Sequence, residues 1–199
     1  IDELRRAAAN NLWHIPQPTP FENSRIGILG LGEIGLAIAQ KLKSFQFLVA
    51  GWSRNFKQVE GITCYQGPSG LNSLLHTTDI LICALPLTPV TKGILNKDTL
   101  ALLPKNAYLI NLARGEHVIE TELLQLIEEG HISGAFLDVF QTEPLPKSHP
   151  FWNHSNITVT PHLAGLTIAD SAANQVAENI DRITMGKCPL NQVDPAQGY

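Results

Sequence analysis

The sequence predicts an α/β protein built on a doubly wound parallel sheet. Three observations carry that expectation. From Arg25 onward, short apolar runs alternate with stretches of helical period. The stretch Arg25 to Gly35, RIGILGLGEIG, joins an apolar strand to a helix through three glycines. The run Asp79 to Leu85, DILICAL, is apolar almost throughout, as a central strand covered on both faces must be.

In chain order, residues 1–20 read as an arm. An amphipathic helix carries Ile1, Leu4, Ala8 and Leu12 on one side, and Pro16, Pro18 and Pro20 then make a stiff connector that cannot continue it. Ile26, Ile28 and Leu29 form the first strand, and Ile34, Ile38, Leu42 and Phe45 mark one face of the helix that follows. Strands are expected at Phe47 to Trp52 and at Ile62 to Tyr65. After a glycine-proline turn a helix is expected over Leu71 to His76. Beyond the Asp79 strand and a polar loop from Pro86 to Gly93, a short helix should run from Lys97 to Leu103, stopped by Pro104. The remaining strands are Ala107 to Leu112, Ile132 to Phe140 and Ile157 to Thr160. A helix lies over Ile119 to Glu129 and stops at Gly130. A long helix closes the chain from Thr167 to Met185, with Thr167 and Asp170 as a capping box and Gly186 as its stop.

Composition narrows the partners. The 199 residues are 44% hydrophobic and 16% charged, with a net charge of -4, which gives no basic field for nucleic acid or an anionic membrane. No apolar run reaches the roughly 18 residues of a membrane span, and the opening IDELRRAAANNLW is too charged for a signal peptide. Cys64, Cys83 and Cys188 have no metal-type spacing, so no metal is expected and a reduced cytoplasm fits best. Neither do His14, His76, His117, His131, His149 and His154 show ligand spacing, and they receive no role.

The glycine stretch has the order of a dinucleotide-binding, Rossmann-type turn. Gly30 permits the tight turn, Gly32 lets backbone N–H groups approach a pyrophosphate, and Gly35 lets the helix sit close on its strand. The end of the second strand selects the cofactor. A carboxylate there would hold the ribose 2′-hydroxyl of NAD, but the chain reads Gly51-Trp52-Ser53-Arg54-Asn55, with Lys57 near. The guanidinium of Arg54 and the hydroxyl of Ser53 suit a 2′-phosphate, so NADP is favoured over NAD. Trp52 reads as a packing residue.

Ligands of open α/β sheets sit beyond the carboxyl ends of the strands. Three polar residues stand there: Arg114 after AYLINLA, Glu143 after GAFLDVF and His162 after ITVTP. Hydride delivered to a keto acid leaves charge on oxygen, which calls for a proton donor and a cation. His162 suits the donor, Glu143 would fix its tautomer and favour its charged form, and Arg114 would anchor the substrate carboxylate and polarise the carbonyl.

Five segments together resemble the D-isomer-specific 2-hydroxyacid dehydrogenases: Arg25 to Gly35, ALPLTPVTKGILN (Ala84 to Asn96), NLARG (Asn111 to Gly115), GAFLDVFQTEPLP (Gly134 to Pro146) and TPHLAG (Thr160 to Gly165). The segment GWSRN and the ending QVDPAQGY are similar to an NADP-dependent branch that reduces glyoxylate and hydroxypyruvate. The resemblance implies that Arg114 binds substrate, Glu143 partners the histidine and His162 donates the proton. It also implies that backbone around Glu33 and Ile34 meets the pyrophosphate, and that Leu85, Pro86 and Asp138 lie near the adenosine or nicotinamide. A homodimer is a further family expectation.

Members of that family carry an N-terminal substrate domain that is largely absent from this sequence. On this reading residues 1–20 are the connecting helix and linker, 21–166 the NADP-binding domain, and 167–199 a helix and tail that would join the substrate domain. The chain is then expected to bind NADPH yet to reduce keto acids poorly. A formate-type dehydrogenase would not need Glu143, and a nucleotide-sensing module would be expected to show an apolar peptide groove or long tails; neither feature is evident in the sequence.

Overall fold

The computed structural model describes residues 2–15 and 24–193. The proline connector and the last six residues of the tail lie outside them.

Seven strands form one sheet, all parallel: β1 Arg25–Leu29, β2 Leu48–Ser53, β3 Thr63–Gln66, β4 Ile80–Cys83, β5 Ala107–Asn111, β6 Ile132–Leu137 and β7 Ile157–Val159. Their order across the sheet is β3-β2-β1-β4-β5-β6-β7. The chain starts in the middle, winds outward to β3, and returns to continue from β4 to β7. The order therefore reverses between β1 and β4, which is where such sheets open a crevice. Among the described residues six helices accompany the strands: α1 Asp2–Ala9, α2 Glu33–Ser44, α3 Gly67–His76, α4 Lys97–Leu100, α5 Glu120–Glu128 and α6 Ala169–Thr184.

Period-two alternation divides the apolar side chains between two layers. Leu81 and Cys83 of β4 face a core shared with Leu74 and Leu75 of α3, Leu100 of α4 and Leu123, Leu126 and Ile127 of α5. Ile82, with Ile26 and Ile28 of β1 and Val49 of β2, faces the opposite layer, where α2 packs. Both faces of the middle strands are thus covered, which explains why their sequences lack polar alternation. Burial drives the Cys83 thiol up to about 12, so it behaves as a small apolar group. At the amino ends of the strands, the Arg25 guanidinium holds the Asp79 carboxylate at 2.6 Å and joins β1 to β4.

Several local expectations need correction. Of the expected apolar face of α2, Ile38 and Leu42 are half-buried against the β1 layer, whereas Ile34 and Phe45 are exposed and the fully buried residues are Gly35 and Ala39. The helix start lies close on the turn after β1: a Cβ at Gly35 would collide with the Gly30 carbonyl, so only glycine fits there. The expected capping box of α6 is absent; Ile168 is the N-cap, with no side-chain hydrogen bond. Helix α3 begins at Gly67, earlier than expected, because Pro68 is tolerated in a first helical turn. Helix α4 ends at Leu100, where the Leu102 and Leu103 N–H groups bond three residues back and tighten the chain before Pro104. Two 3-10 turns, Gly115–His117 and Pro150–Asn153, had no counterpart in the sequence pattern.

Candidate functional site

One row of paired residues crosses the sheet at the carboxyl ends of its strands. Trp52 pairs with Leu29, Leu29 with Cys83, Cys83 with Asn111, Asn111 with Leu137 and Leu137 with Val159. Everything that the sequence nominated leaves from this row. Ser53 and Arg54 follow Trp52, the glycines follow Leu29, Leu85 and Pro86 follow Cys83, Arg114 follows Asn111, Asp138 follows Leu137, and His162 follows Val159. The topology gathers them on one edge and sorts them: Arg54 on the β2 side of the reversal, and Pro86, Arg114, Asp138, Glu143 and His162 on the other.

The glycine turn fits a pyrophosphate. Gly30 sits at φ +97°, a left-handed conformation open to glycine, with the Ala84 carbonyl beside it. Gly32 is the N-cap of α2 and supplies no side chain to cap the first turn at Glu33, Ile34 and Gly35. A Cβ at Gly32 would meet no protein atom within 4 Å, so backbone there is open to close approach.

At the end of β2 the Trp52 indole is buried and donates to the Gly67 carbonyl at 2.8 Å, a packing role as expected. Ser53 is also buried, and its hydroxyl donates to the Asn55 carbonyl at 2.7 Å, which makes it a former of the loop in this state. Arg54 is exposed. Lys57 folds back so that its ammonium donates to the Leu31 carbonyl at 2.5 Å, placing a cation against the glycine turn.

On the other side, His162 and Glu143 meet. The imidazole Nδ1 lies 2.7 Å from Glu143 Oε2, with the two side chains 47% and 34% exposed. Glu143 Oε1 accepts the Phe140 N–H at 2.9 Å, so both carboxylate oxygens are engaged. Partial burial pushes the Glu143 carboxyl up, but the bonds from His162 and Phe140 and the charges of His162 and Arg114 outweigh it and hold the group below its ordinary value. A carboxylate on Nδ1 fixes the imidazole and leaves Nε2 for a reacting oxygen. Arg114 is exposed, and its Nη1 donates to the Ala113 carbonyl at 2.6 Å.

Asp138 holds the histidine loop. It is 1% exposed. One carboxylate oxygen accepts the Thr160 hydroxyl at 2.5 Å and the Leu163 N–H at 3.0 Å, and the other accepts the Ala164 N–H at 2.8 Å. Its own carbonyl accepts the His162 N–H at 2.8 Å. Burial would raise the Asp138 carboxyl, and these donors from Thr160, Ala164 and Leu163 bring it below its ordinary value. They clamp the turn in which His162 takes φ +52°, uncommon for a residue with a Cβ. The sequence signals only that a lone carboxylate inside GAFLDVF needs hydrogen-bond partners once buried, and not which ones.

His117 had no such signal. It is fully buried, and its two ring nitrogens face the carbonyls of Arg114 and Pro86. Among the described residues no group of His, Cys, Asp and Glu could hold a metal ion. No described helix is long and apolar enough to cross a membrane.

Comparison with known proteins places the chain in a family. Residues 1–164 match the family model described as D-isomer specific 2-hydroxyacid dehydrogenase, NAD binding domain. The glyoxylate/hydroxypyruvate reductase A of Serratia proteamaculans is 44% identical over the whole chain, which spans 64% of the length of that relative. A D-isomer specific 2-hydroxyacid dehydrogenase of Xanthobacter autotrophicus, solved with NADPH and MES, superposes with a TM-score of 0.96 at 45% identity, covering 100% of this chain and 82% of that one. The NADPH-dependent glyoxylate/hydroxypyruvate reductase of Sinorhizobium meliloti, solved with NADP and sulfate, gives 0.96 at 34% identity, covering 100% of this chain and 64% of that one. With the family model matched over residues 1–164 and a solved member superposing over the whole chain at 45% identity, the chain belongs to the D-isomer specific 2-hydroxyacid dehydrogenases.

Proposed function

We propose that this chain is the NADPH-binding part of a reductase that converts a small 2-keto acid, glyoxylate or hydroxypyruvate, to the 2-hydroxy acid. The observation that carries the reading is the 2.7 Å contact between His162 and Glu143 on the same sheet edge as the glycine turn. Bound NADPH would supply the hydride to the carbonyl carbon. His162 would give its proton from Nε2 to the carbonyl oxygen, with Glu143 on Nδ1 stabilising the imidazolium before transfer. Arg114 would hold the substrate carboxylate and polarise the carbonyl. The Glu143 contact disfavours a formate-type reaction, which releases no alkoxide to protonate.

NADP over NAD rests on the missing acid and on Arg54, and two similar proteins were solved with NADPH or NADP bound. Residues 21–166 would form the cofactor unit, between the arm of 1–20 and the segment 167–199. Helix α6 buries none of its residues, and Val176, Ile180 and Ile183 on it are exposed, which supports a covering element or a second copy in a homodimer. Three free cysteines suit the cytoplasm.

With Arg114 and His162 open to water, the 199-residue chain alone should bind NADPH and turn over slowly. The test is oxidation of NADPH by the purified chain with glyoxylate or hydroxypyruvate, beside His162→Asn. Residual turnover that vanishes in the variant supports the proposed roles. Equal rates in the two proteins refute them.

A further inference from the structure

We propose that His117 is a positioning residue that fixes the nicotinamide end of the cofactor site by tying Arg114 to Pro86. The proposal rests on the NADPH-binding reading above. His117 lies in the 3-10 turn directly after Arg114 and is 0% exposed. Its Nδ1 is 3.0 Å from the Arg114 carbonyl and its Nε2 is 3.3 Å from the Pro86 carbonyl, 31 residues earlier in the chain. One ring therefore spans the loops that leave β4 and β5.

Both ends of that span are themselves organised. The Arg114 carbonyl also accepts Asn111 Nδ2 at 2.9 Å, while Asn111 Oδ1 accepts the Ala113 N–H at 3.1 Å. The Pro86 carbonyl also accepts the Thr91 hydroxyl at 2.7 Å, and Thr91 pairs with Thr88. Two loop turns, each closed by its own side chain, are joined by the imidazole. Backbone reinforces the join nearby, where the Leu95 N–H donates to the His117 carbonyl at 2.9 Å and the Gly93 N–H to the Glu116 carbonyl at 2.8 Å.

The location gives the join its consequence. Pro86 and Arg114 lie beyond β4 and β5, on the side of the reversal away from Arg54 and β2. A dinucleotide laid across the reversal with its adenosine at β2 brings its nicotinamide to this side. A buried aromatic ring in a close-packed position transmits the placement of one loop to the other. An apolar ring of similar size would fill the space but remove the one N–H that bonds the Arg114 or the Pro86 carbonyl. Burial holds the imidazole below its ordinary value despite the two carbonyls and Glu116, so near neutral pH it carries one N–H and favours one carbonyl at a time.

The test separates the two ends of the cofactor. The purified 199-residue chain, His117→Phe and His117→Asn are titrated with NADPH and with 2′-phospho-ADP-ribose, which lacks the nicotinamide. For His117→Phe the inference predicts an affinity for NADPH about tenfold weaker, with the affinity for 2′-phospho-ADP-ribose unchanged. His117→Asn, which keeps a donor toward Arg114, should recover at least half of that loss on a logarithmic scale. If His117→Phe does not fold, a weaker NADPH affinity of His117→Asn with unchanged 2′-phospho-ADP-ribose affinity supports the inference. Equal weakening of both ligands would show a merely structural ring, and no weakening of either would show an idle one; each overturns the inference while the cofactor reading stands. Failure of the unsubstituted chain to bind either ligand would refute the cofactor reading itself and, with it, this inference.

Discussion

Replacing Asp138 by alanine should loosen the histidine loop without touching the sheet. The substitution removes the acceptor of three donors: the Thr160 hydroxyl and the Leu163 and Ala164 N–H groups. Hydrogen bonds to a charged acceptor contribute about 1.5–3 kcal/mol each. Leu163 is 46% exposed and Ala164 is exposed, so both N–H groups can turn to water and the low end applies. Removing a buried charge also relieves its desolvation, which offsets part of the loss. The net destabilisation is about 2–3 kcal/mol, or about 5–10 °C in melting temperature for a domain of this size. Thr160→Val, which removes one donor and keeps the charge, should lose about 1 kcal/mol. Circular dichroism melts of the three proteins decide the matter. A midpoint for Asp138→Ala within 1 °C of the parent would refute the clamp, and so would a loss no larger than that of Thr160→Val.

Gly35→Ala should destabilise the fold by about 1–3 kcal/mol and abolish measurable cofactor binding, because the added Cβ meets the Gly30 carbonyl at the turn; chemical denaturation and a fluorescence titration read the two effects. Arg54→Gln should weaken NADPH by tenfold or more and leave NADH unchanged, read by the same titration, since the guanidinium is assigned to the 2′-phosphate. Stability should fall with acid in two windows. The folded-state value of His117 is depressed, so its contribution is full above its ordinary value of 6.5 and declines as pH falls below it. Glu143 and Asp138 are likewise depressed, so their contributions are full above 4.5 and 3.8 and are lost as pH falls further. Urea midpoints of the parent and His117→Phe between pH 8 and 4 should converge through the first window, and parallel curves would contradict the assignment.

The fold was readable because its signals are local and strong. Apolar runs such as ILIC and AYLIN cannot be exposed on either face, and the glycine turn answers steric demands that a single Cβ at Gly35 would break. The candidates Arg114, Glu143 and His162 could be singled out because strand ends are legible in the sequence and a parallel sheet places consecutive ends side by side, and the structure brings His162 and Glu143 to 2.7 Å. What escaped reading depends on contacts far apart in sequence. The inward face of α2 was read in part: Ile38 and Leu42 pack on the β1 layer as the periodicity expects, while Ile34 and Phe45 stay exposed and the fully buried positions are Gly35 and Ala39, which periodicity does not reveal. The start of α6 was misjudged because Thr167 and Asp170 have the residue types of a capping box while the helix begins at Ala169. Asp138 was placed near the cofactor, yet its grip on residues 160–164 appears only when β6 and β7 pair. His117 was passed over because nothing in its immediate neighbours shows that Pro86, 31 residues away, faces its ring.

The most direct test of the central claim is a titration of the 199-residue chain with NADPH and NADH, following nicotinamide fluorescence at neutral pH. Saturable binding of NADPH is expected, with an affinity for NADH at least tenfold weaker, because the strand end offers Arg54 and no carboxylate. Equal affinity for the two cofactors would contradict the selectivity assigned to Arg54, and binding of neither would contradict the reading of the glycine turn from which the whole site was built.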